Sequence, residues 1–420
     1  MHDRTPRGTL LVTALILASC AIPNGAAIRS ALDEGDADGA LALAKTDDRS
    51  LDYLAMEILR HGAGDEELGD EALAMIGLSR TRAKPLLRDL ASGADDPVVR
   101  TTAQSLLVRM GDRAFSDDLV DALESDLGLV RAAAVDALLE LDQSRSFHEH
   151  YILDTEPEVR RAVVVFLSSH ALPWSQDLLV DAARKDPDDG VRRAATRALD
   201  PTVEENRDVL KQALGSDDGA LRRAAARALG TSSSSMELTW AAHLLASPAT
   251  PEGLAFATTL LRGDADLAEA AEYLQEALHD PSPTMRHSVL VALTGTSARV
   301  EGLDELAGDP SPQVRVAWCR LTRKLGTSDA GKRLEILESI VVGEEAGRDA
   351  LVALAEEKGG YEKIRARVWW LLMQGGPDAQ KYILAHAARP FDDPALAIWG
   401  MKAGDPGVRL RAAAAWLATR

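Results

Sequence analysis

From about residue 95 onward, apolar positions recur with helical spacing and one short phrase keeps returning. Its clearest form is Ser216–Gly230, SDDGALRRAAARALG, where Leu221, Ala224, Ala225, Ala228 and Leu229 share one face at a 3.6-residue period. Close versions begin at Asp95, Ser125, Thr155, Asp186, Asp280, Asp309 and Asp405. Each opens on polar residues, mostly Asp, Ser or Thr, with Pro or Gly just behind. The side-chain oxygen caps free backbone N–H groups, and Pro fits the first turn because no donor is needed there. A second amphipathic stretch precedes each such helix: Phe115–Glu124, Trp174–Arg184, Glu205–Leu214, Leu267–Leu278 and Lys332–Val342. One unit is therefore a helix, a short turn and a second helix.

The arginine after the apolar residue falls at Arg100, Arg131, Arg160, Arg192, Arg222, Arg286, Arg315 and Arg409. The spacings are 31, 29, 32, 30, 64, 29 and 94 residues, so the two large gaps are close to two and three periods. A fixed period in this range predicts an all-α fold, an α-solenoid or superhelix of stacked antiparallel helix pairs. A unit cannot bury its apolar face alone. Stacked in single file, each unit touching its chain neighbours, the units share one core. The many alanines of the second helix let neighbouring axes approach to about 8–10 Å.

The pattern D-P-x-V-R-x-x-A-x-x-A-L resembles HEAT repeats, in particular the short kind found in phycobilisome lyase proteins. The resemblance covers residues 95–325 well and the flanks poorly. It implies that the turn aspartate and the second-helix arginine form a polar ladder between adjacent units. Here that ladder would use Asp96 with Arg100, Asp189 with Arg192, and Asp218 with Arg222, so the eight repeat arginines are structural.

Residues 1–19 are different. Arg4 and Arg7 precede the apolar run Leu10–Ala18, which is far shorter than the ~20 residues a membrane span needs, so it reads as a signal peptide. Leu17-Ala18-Ser19-Cys20 resembles a bacterial lipobox, in which the cysteine becomes the lipidated N-terminus. Residues 20–30 would then be the lipidated Cys20 and a short tether, and 31–94 degenerate capping repeats with helices near Ala37–Lys45, Leu51–Arg60, Glu71–Leu78 and Ala83–Leu90. Regular HEAT-like repeats fill 95–325, with a weak unit near 236–262 after Thr231–Ser235. Divergent repeats and a cap fill 326–420, with helices near Gly347–Ala355, Ile364–Met373, Ala379–Ala388 and Ala395–Ala403 and a final one to Leu417. The chain is thus expected to be exported and lipid-anchored to a bacterial membrane, facing the periplasm or the cell surface. Cys319 is then the only other cysteine, read as a small apolar filler.

Charge narrows the partner. The formal charge is −19, and −20 once residues 1–19 are removed. That opposes binding to nucleic acid or to an anionic bilayer surface. One local exception is the pair of positions one and five residues after the repeat arginine: Arg161, then Arg193 with Arg197, then Arg223 with Arg227. Stacking would align them as a basic stripe on the second-helix wall, normally the concave one in this repeat class. That stripe suits an unknown protein partner with an acidic segment, or an anionic polymer. A solvated face balanced by nearby carboxylates is the plainer reading.

Catalytic chemistry is sparse. His148-Glu149-His150 is the one compact histidine group, and residues two apart do not share a helix face, so no metal is expected. Deoxyhypusine hydroxylases, also built of repeats, carry several His-Glu dipeptides to hold iron, whereas this chain has one. No G-x-S-x-G, H-E-x-x-H or P-loop pattern is present, and nothing calls for a cofactor. Five of the seven tryptophans (Trp318, Trp369, Trp370, Trp399 and Trp416) lie in the last quarter, read as bulkier end packing or as an aromatic binding surface. The sequence favours a non-catalytic interaction scaffold, lipid-anchored in the cell envelope. The alternatives are a structural or assembly spacer and, less favoured, an enzyme related to phycobilin lyases.

Overall fold

The computed structural model describes residues 22, 24–65, 67–78, 83–170, 172–231, 244–245, 250–262, 268–295, 301–341 and 347–418. Every element of regular structure among them is helical, and no strand is present among the described residues. The expected signal peptide, Cys20 and most of the Thr231–Ser235 turn lie outside them. In chain order the first helices are α1 (Gly25–Asp33), α2 (Ala37–Ala44), α3 (Asp48–Ala63), α4 (Gly69–Leu78), α5 (Lys84–Gly93) and α6 (Pro97–Arg109). The middle holds α7 (Ser116–Ala122), α8 (Gly128–Leu138), α9 (Arg145–Tyr151), α10 (Pro157–Ser169), α11 (Ser175–Lys185), α12 (Asp189–Ala198), α13 (Glu204–Leu214) and α14 (Gly219–Leu229). Then follow α15 (Pro251–Arg262), α16 (Ala268–Ala277), α17 (Pro283–Leu293), α18 (Pro312–Leu325), α19 (Ala330–Val341) and α20 (Gly347–Glu356). The last are α21 (Gly360–Gln374), α22 (Pro377–Ala385), α23 (Pro394–Gly400) and α24 (Pro406–Ala418).

No helix among the described residues is long and apolar enough to cross a membrane. Two helices fall outside the ranges read from the apolar pattern. Helix α1 takes in residues 25–30, expected as tether, because Ile28 is fully buried. Helix α9 is a single short stretch started by Ser144, whose side chain accepts from the Phe147 N–H at 3.4 Å. The helix expected at Phe115–Glu124 begins as a 3₁₀ turn over Arg113–Phe115.

The described residues form two compact units, and the first joins early and late parts of the sequence: described residues between 22 and 110 with those between 365 and 418. Helix α24 packs on α3 and α4, where single-file stacking predicts contact between chain neighbours alone. The indole N–H of Trp416 donates to an Asp52 carboxylate oxygen at 2.8 Å, and Arg411 pairs with Glu71 at 2.7 Å. Gly62 makes the close approach possible: a Cβ there would lie 2.4 Å from a methyl of Leu410, itself 1 % exposed.

The second unit, within residues 111–364, holds most of the regular repeats as a stacked all-helical array. Its helices pack mainly on partners one or two places along the chain, as stacked pairs do. The second helices α8, α10, α12 and α14 lie side by side, bringing Val130, Val159, Val163, Val191, Ala195, Ala225 and Leu229 into the core. The caps match the sequence chemistry. The Asp188 carboxylate accepts from the Val191 N–H and that of Asp218 from the Ala220 N–H, each at 2.8 Å. Trp318 and Cys319 are buried core residues, and burial pushes the Cys319 thiol up to about 12, which keeps it protonated and inert.

Candidate functional site

The repeat arginine does the same thing in all eight phrases. One guanidinium nitrogen, Nη1, donates to the carbonyl six residues earlier, at 2.6–2.9 Å. The pairs run Arg100 to Ala94, Arg131 to Ser125, Arg160 to Asp154 and Arg192 to Asp186. They continue with Arg222 to Ser216, Arg286 to Asp280, Arg315 to Asp309 and Arg409 to Ala403. This ties the start of the second helix back to the turn that precedes it.

The rest of the guanidinium reaches forward to the next unit wherever a carboxylate stands there. Arg131 grips Asp154 at 2.7 and 2.9 Å, Arg160 grips Asp186 at 2.7 and 2.9 Å, and Arg286 grips Asp309 at 2.7 and 3.0 Å. Arg222 reaches Glu252 at 3.2 Å. The ladder aspartate therefore sits six residues before the next repeat arginine, and the expected partners need correcting. Asp96 and Asp218 instead cap their own helices through Val98 and Ala220. Arg192 does meet Asp189, but within its own helix. The next unit offers Ser216 at the position where Asp186 and Asp309 stand, so Arg192 has no carboxylate ahead of it. Asp154 and Asp309 feel the pairing. The Arg131 hydrogen bonds hold the Asp154 carboxyl below its ordinary range. Burial pushes Asp309 up, but Arg286 and the Ser311 N–H pull it below that range.

The stripe residues lie apart from this ladder. Arg161 on α10, Arg193 and Arg197 on α12, and Arg223 and Arg227 on α14 are half-exposed or exposed. Arg161 and Arg193 stand 3.9 and 4.0 Å from Asp188 and Asp218, beyond hydrogen-bond reach. Those two carboxylates are already engaged as caps, and their cap N–H groups hold them below the ordinary carboxylate range. Arg197 has no ion pair among the described residues. Gly190 and Gly219 leave room for the guanidiniums, since a Cβ at either would lie 3.3 Å from Arg161 or Arg223. The stripe has edges. One is Asp136 on α8, and the other is α15, where the matching positions Phe256 and Leu260 are buried. On α10 the matching position is Val165, 51 % exposed, which the sequence reading passed over.

Residues 140–200 match a family model described as HEAT repeats. That stretch holds Arg160 and Arg192 of the ladder and the α10 and α12 part of the stripe. No curated protein matches the chain. Among solved structures, it is similar to two crystal structures of Kap121p mutants, at 13 % and 15 % identity with TM-scores of 0.37 and 0.34. Each match covers 90 % of this chain and 49 % or 48 % of the other, so the chain spans about half the length of those proteins.

The remaining chemistry is structural in character. His148 is fully buried on α9 and its Nδ1–H donates to the Ser144 carbonyl at 2.8 Å. Its ring lies against Phe166 and Trp174, while His150 is exposed. The two rings of the His-Glu-His group therefore face different surroundings. Among the described residues no group of three or more His, Cys, Asp or Glu side chains is placed to hold a metal. A cavity of about 780 Å³ opens between α9 and α11, with Leu153 (81 % exposed), Ile152, Leu178, Ala182 and Pro187 on its walls. The Arg160–Asp186 pair also lines it, and those polar atoms are bonded to each other. Of the five late tryptophans, Trp318 and Trp416 are core and Trp370 is 48 % exposed, with Arg367 stacked on it at 4.3 Å.

Proposed function

We propose that this chain is a non-catalytic scaffold that holds a protein partner along the wall made by α10, α12 and α14. It is held at a bacterial cell envelope by lipid on Cys20, on the periplasmic or cell-surface side. One observation carries the partner reading: five arginines outside the structural ladder gather on one exposed wall of a chain whose formal charge is −19. Arg161 and Arg193 lie too far from Asp188 and Asp218 to hydrogen-bond them, whereas Arg160 is buried against Asp186. The envelope reading rests on Arg4, Arg7, the Leu10–Ala18 run and the Leu-Ala-Ser-Cys motif. Multiple acyl chains on one cysteine anchor stably where a single chain would not.

Crosslinking in the native host, followed by identification of captured proteins, tests the scaffold. A defined protein partner is expected, and recovery of lipid and chaperones alone would sink it. Radiolabelled palmitate tests the anchor. Label should enter the wild-type protein and be absent from a Cys20→Ala variant that stays unprocessed.

A further inference from the structure

The unmatched rung at Arg192 leaves a gap whose chemistry the complete rungs define. Where a rung is complete, Nε and Nη2 of the arginine hold the next unit's carboxylate, as Arg160 holds Asp186 at 2.7 and 2.9 Å. That aspartate has a second task, since one of its oxygens accepts the Asp188 N–H at 2.9 Å. Ser216 keeps the second task alone: its hydroxyl accepts the Asp218 N–H at 3.1 Å, and it carries no negative charge. Arg192 donates through Nη1 to the Asp186 and Pro187 carbonyls and through Nη2 to Asp189 on its own helix. Its Nε has no acceptor among the described residues.

A cavity of about 350 Å³ opens at this rung, between α11 and α13, at the small end of the range for ligand sites. Arg192 and Arg184 line it with Ser216 and Gln212, and no Asp or Glu does. One unit earlier, the cavity between α9 and α11 carries its own carboxylate in the Arg160–Asp186 pair. The acids that answer the two arginines here are exposed and off the cavity wall. Asp189 is 64 % exposed, and Glu205 lies 3.6 Å from Arg184, beyond hydrogen-bond reach. Val209, Ala213 and Leu221 supply an apolar wall.

We propose that this gap binds a short aliphatic carboxylate, whose oxygens take the place that the Asp186 carboxylate occupies one unit earlier. One oxygen accepts from Arg192 Nε and the other from Nη2, which gives up the exposed Asp189, while the hydrocarbon body lies on Val209 and Leu221. Guanidinium and carboxylate match as a planar pair joined by two parallel hydrogen bonds. The site shares no residue with the exposed arginine stripe and is independent of the scaffold reading.

The test uses the full chain and saturation-transfer NMR titrations with hexanoate, its neutral counterpart hexanamide, and acetate. Hexanoate is expected to bind about fivefold tighter than hexanamide, and about tenfold tighter than acetate because its extra CH₂ groups lie on the apolar wall. Ser216→Asp supplies the missing carboxylate from within the chain, as Asp186 does one unit earlier. It should cut hexanoate affinity about tenfold and slow hydrogen exchange in α12, whereas Asp189→Asn should raise the affinity about twofold by freeing Nη2. Circular dichroism confirms that each variant is folded. Unchanged hexanoate binding in Ser216→Asp, or equal binding of hexanoate and hexanamide, overturns the proposal. Equal binding of acetate and hexanoate removes the aliphatic part of it. N-acetyl-glutamate α-amide stands for a carboxylate borne by a partner protein. Tighter binding of that probe than of hexanoate would overturn the free-acid assignment and give the site to a partner's side chain.

Discussion

Asp186 is the strongest single handle on the ladder, because its two functions point in opposite directions along the chain. Its carboxylate takes two hydrogen bonds from Arg160 and one from the Asp188 N–H, while its carbonyl takes one from Arg192 at 2.7 Å. Both side chains of the ion pair are nearly dry, 7 % exposed for Arg160 and 4 % for Asp186. Replacing Asp186 with Ala leaves the backbone bond intact and removes the carboxylate that pairs with the buried Arg160. Breaking a buried pair in this way costs about 3–5 kcal/mol. Arg160 keeps its bonds to the Asp154 and Thr155 carbonyls, so the lower end, about 3 kcal/mol, is expected. Asp189→Ala is the matched control. It removes the Arg192–Asp189 pair, whose side chains are 29 % and 64 % exposed, and screening should hold its cost under about 1 kcal/mol. Repeat arrays need not unfold in one step, so native-state hydrogen exchange on α10, α11 and α12 is a better assay than a melting point. About 3 kcal/mol appears there as roughly 150-fold faster exchange. The double variant Arg160→Met/Asp186→Leu should recover most of the loss. An Asp186→Ala effect no larger than that of Asp189→Ala would refute the claim that the ladder holds the units together.

Three further perturbations have defined outcomes. Trp416→Ala should cost about 3–5 kcal/mol and raise protease cleavage in α3, since the indole is 1 % exposed and bonded to Asp52; a loss below about 1 kcal/mol would contradict the packing described for the first unit. Gly62→Val should cost about 1–3 kcal/mol by forcing Leu410 off its site, read as a lower urea midpoint, and an unchanged midpoint would show that Leu410 yields freely. Burial holds His148 below its ordinary pKa, so the unfolded chain takes up its proton first as pH falls. Stability should then be full above about pH 6.5 and drop by at most about 1.4 kcal/mol per pH unit below it, until the folded-state pKa is reached. His148→Leu should flatten that slope in urea titrations from pH 7 to pH 5, and an unchanged slope would exclude His148 as its source.

The repeat arginines were legible because one residue type at a 29–32-residue spacing carries a geometric meaning on its own. Their acidic partners were harder to place. The phrase offers acids at several positions, and the resemblance suggested those nearest the arginine. The position that matters stands six residues before the arginine, where the chain leaves the preceding helix. It can be found in Asp154, Asp186 and Asp309 once the turn is known to bring that residue against the previous unit's guanidinium. Ser216 at the same position explains why the ladder turns inward at Arg192. The stripe was legible at Arg161, Arg193, Arg197, Arg223 and Arg227 for the same reason as the ladder, since period fixes face. Val165 went unnoticed because an apolar residue in an apolar-rich helix carries no signal of exposure.

The terminal packing had a signal of another kind. A solenoid's end helix normally keeps a polar outer face, since nothing stacks beyond it. Helix α24 reads PGVRLRAAAAWLA, and Val408, Leu410, Ala412, Ala413, Ala415, Trp416 and Leu417 are all buried. A helix apolar nearly all round must be covered on more than one side. Its own neighbours α22 and α23 cover one side, so the remaining face needs a partner from elsewhere, and α3 and α4 supply it. Asp52 is the companion signal. It sits in α3 where it can accept the one polar hydrogen that the buried indole of Trp416 carries. The helices Asp48–Ala63 and Gly69–Leu78 thus cover the face of α24 that its chain neighbours leave open.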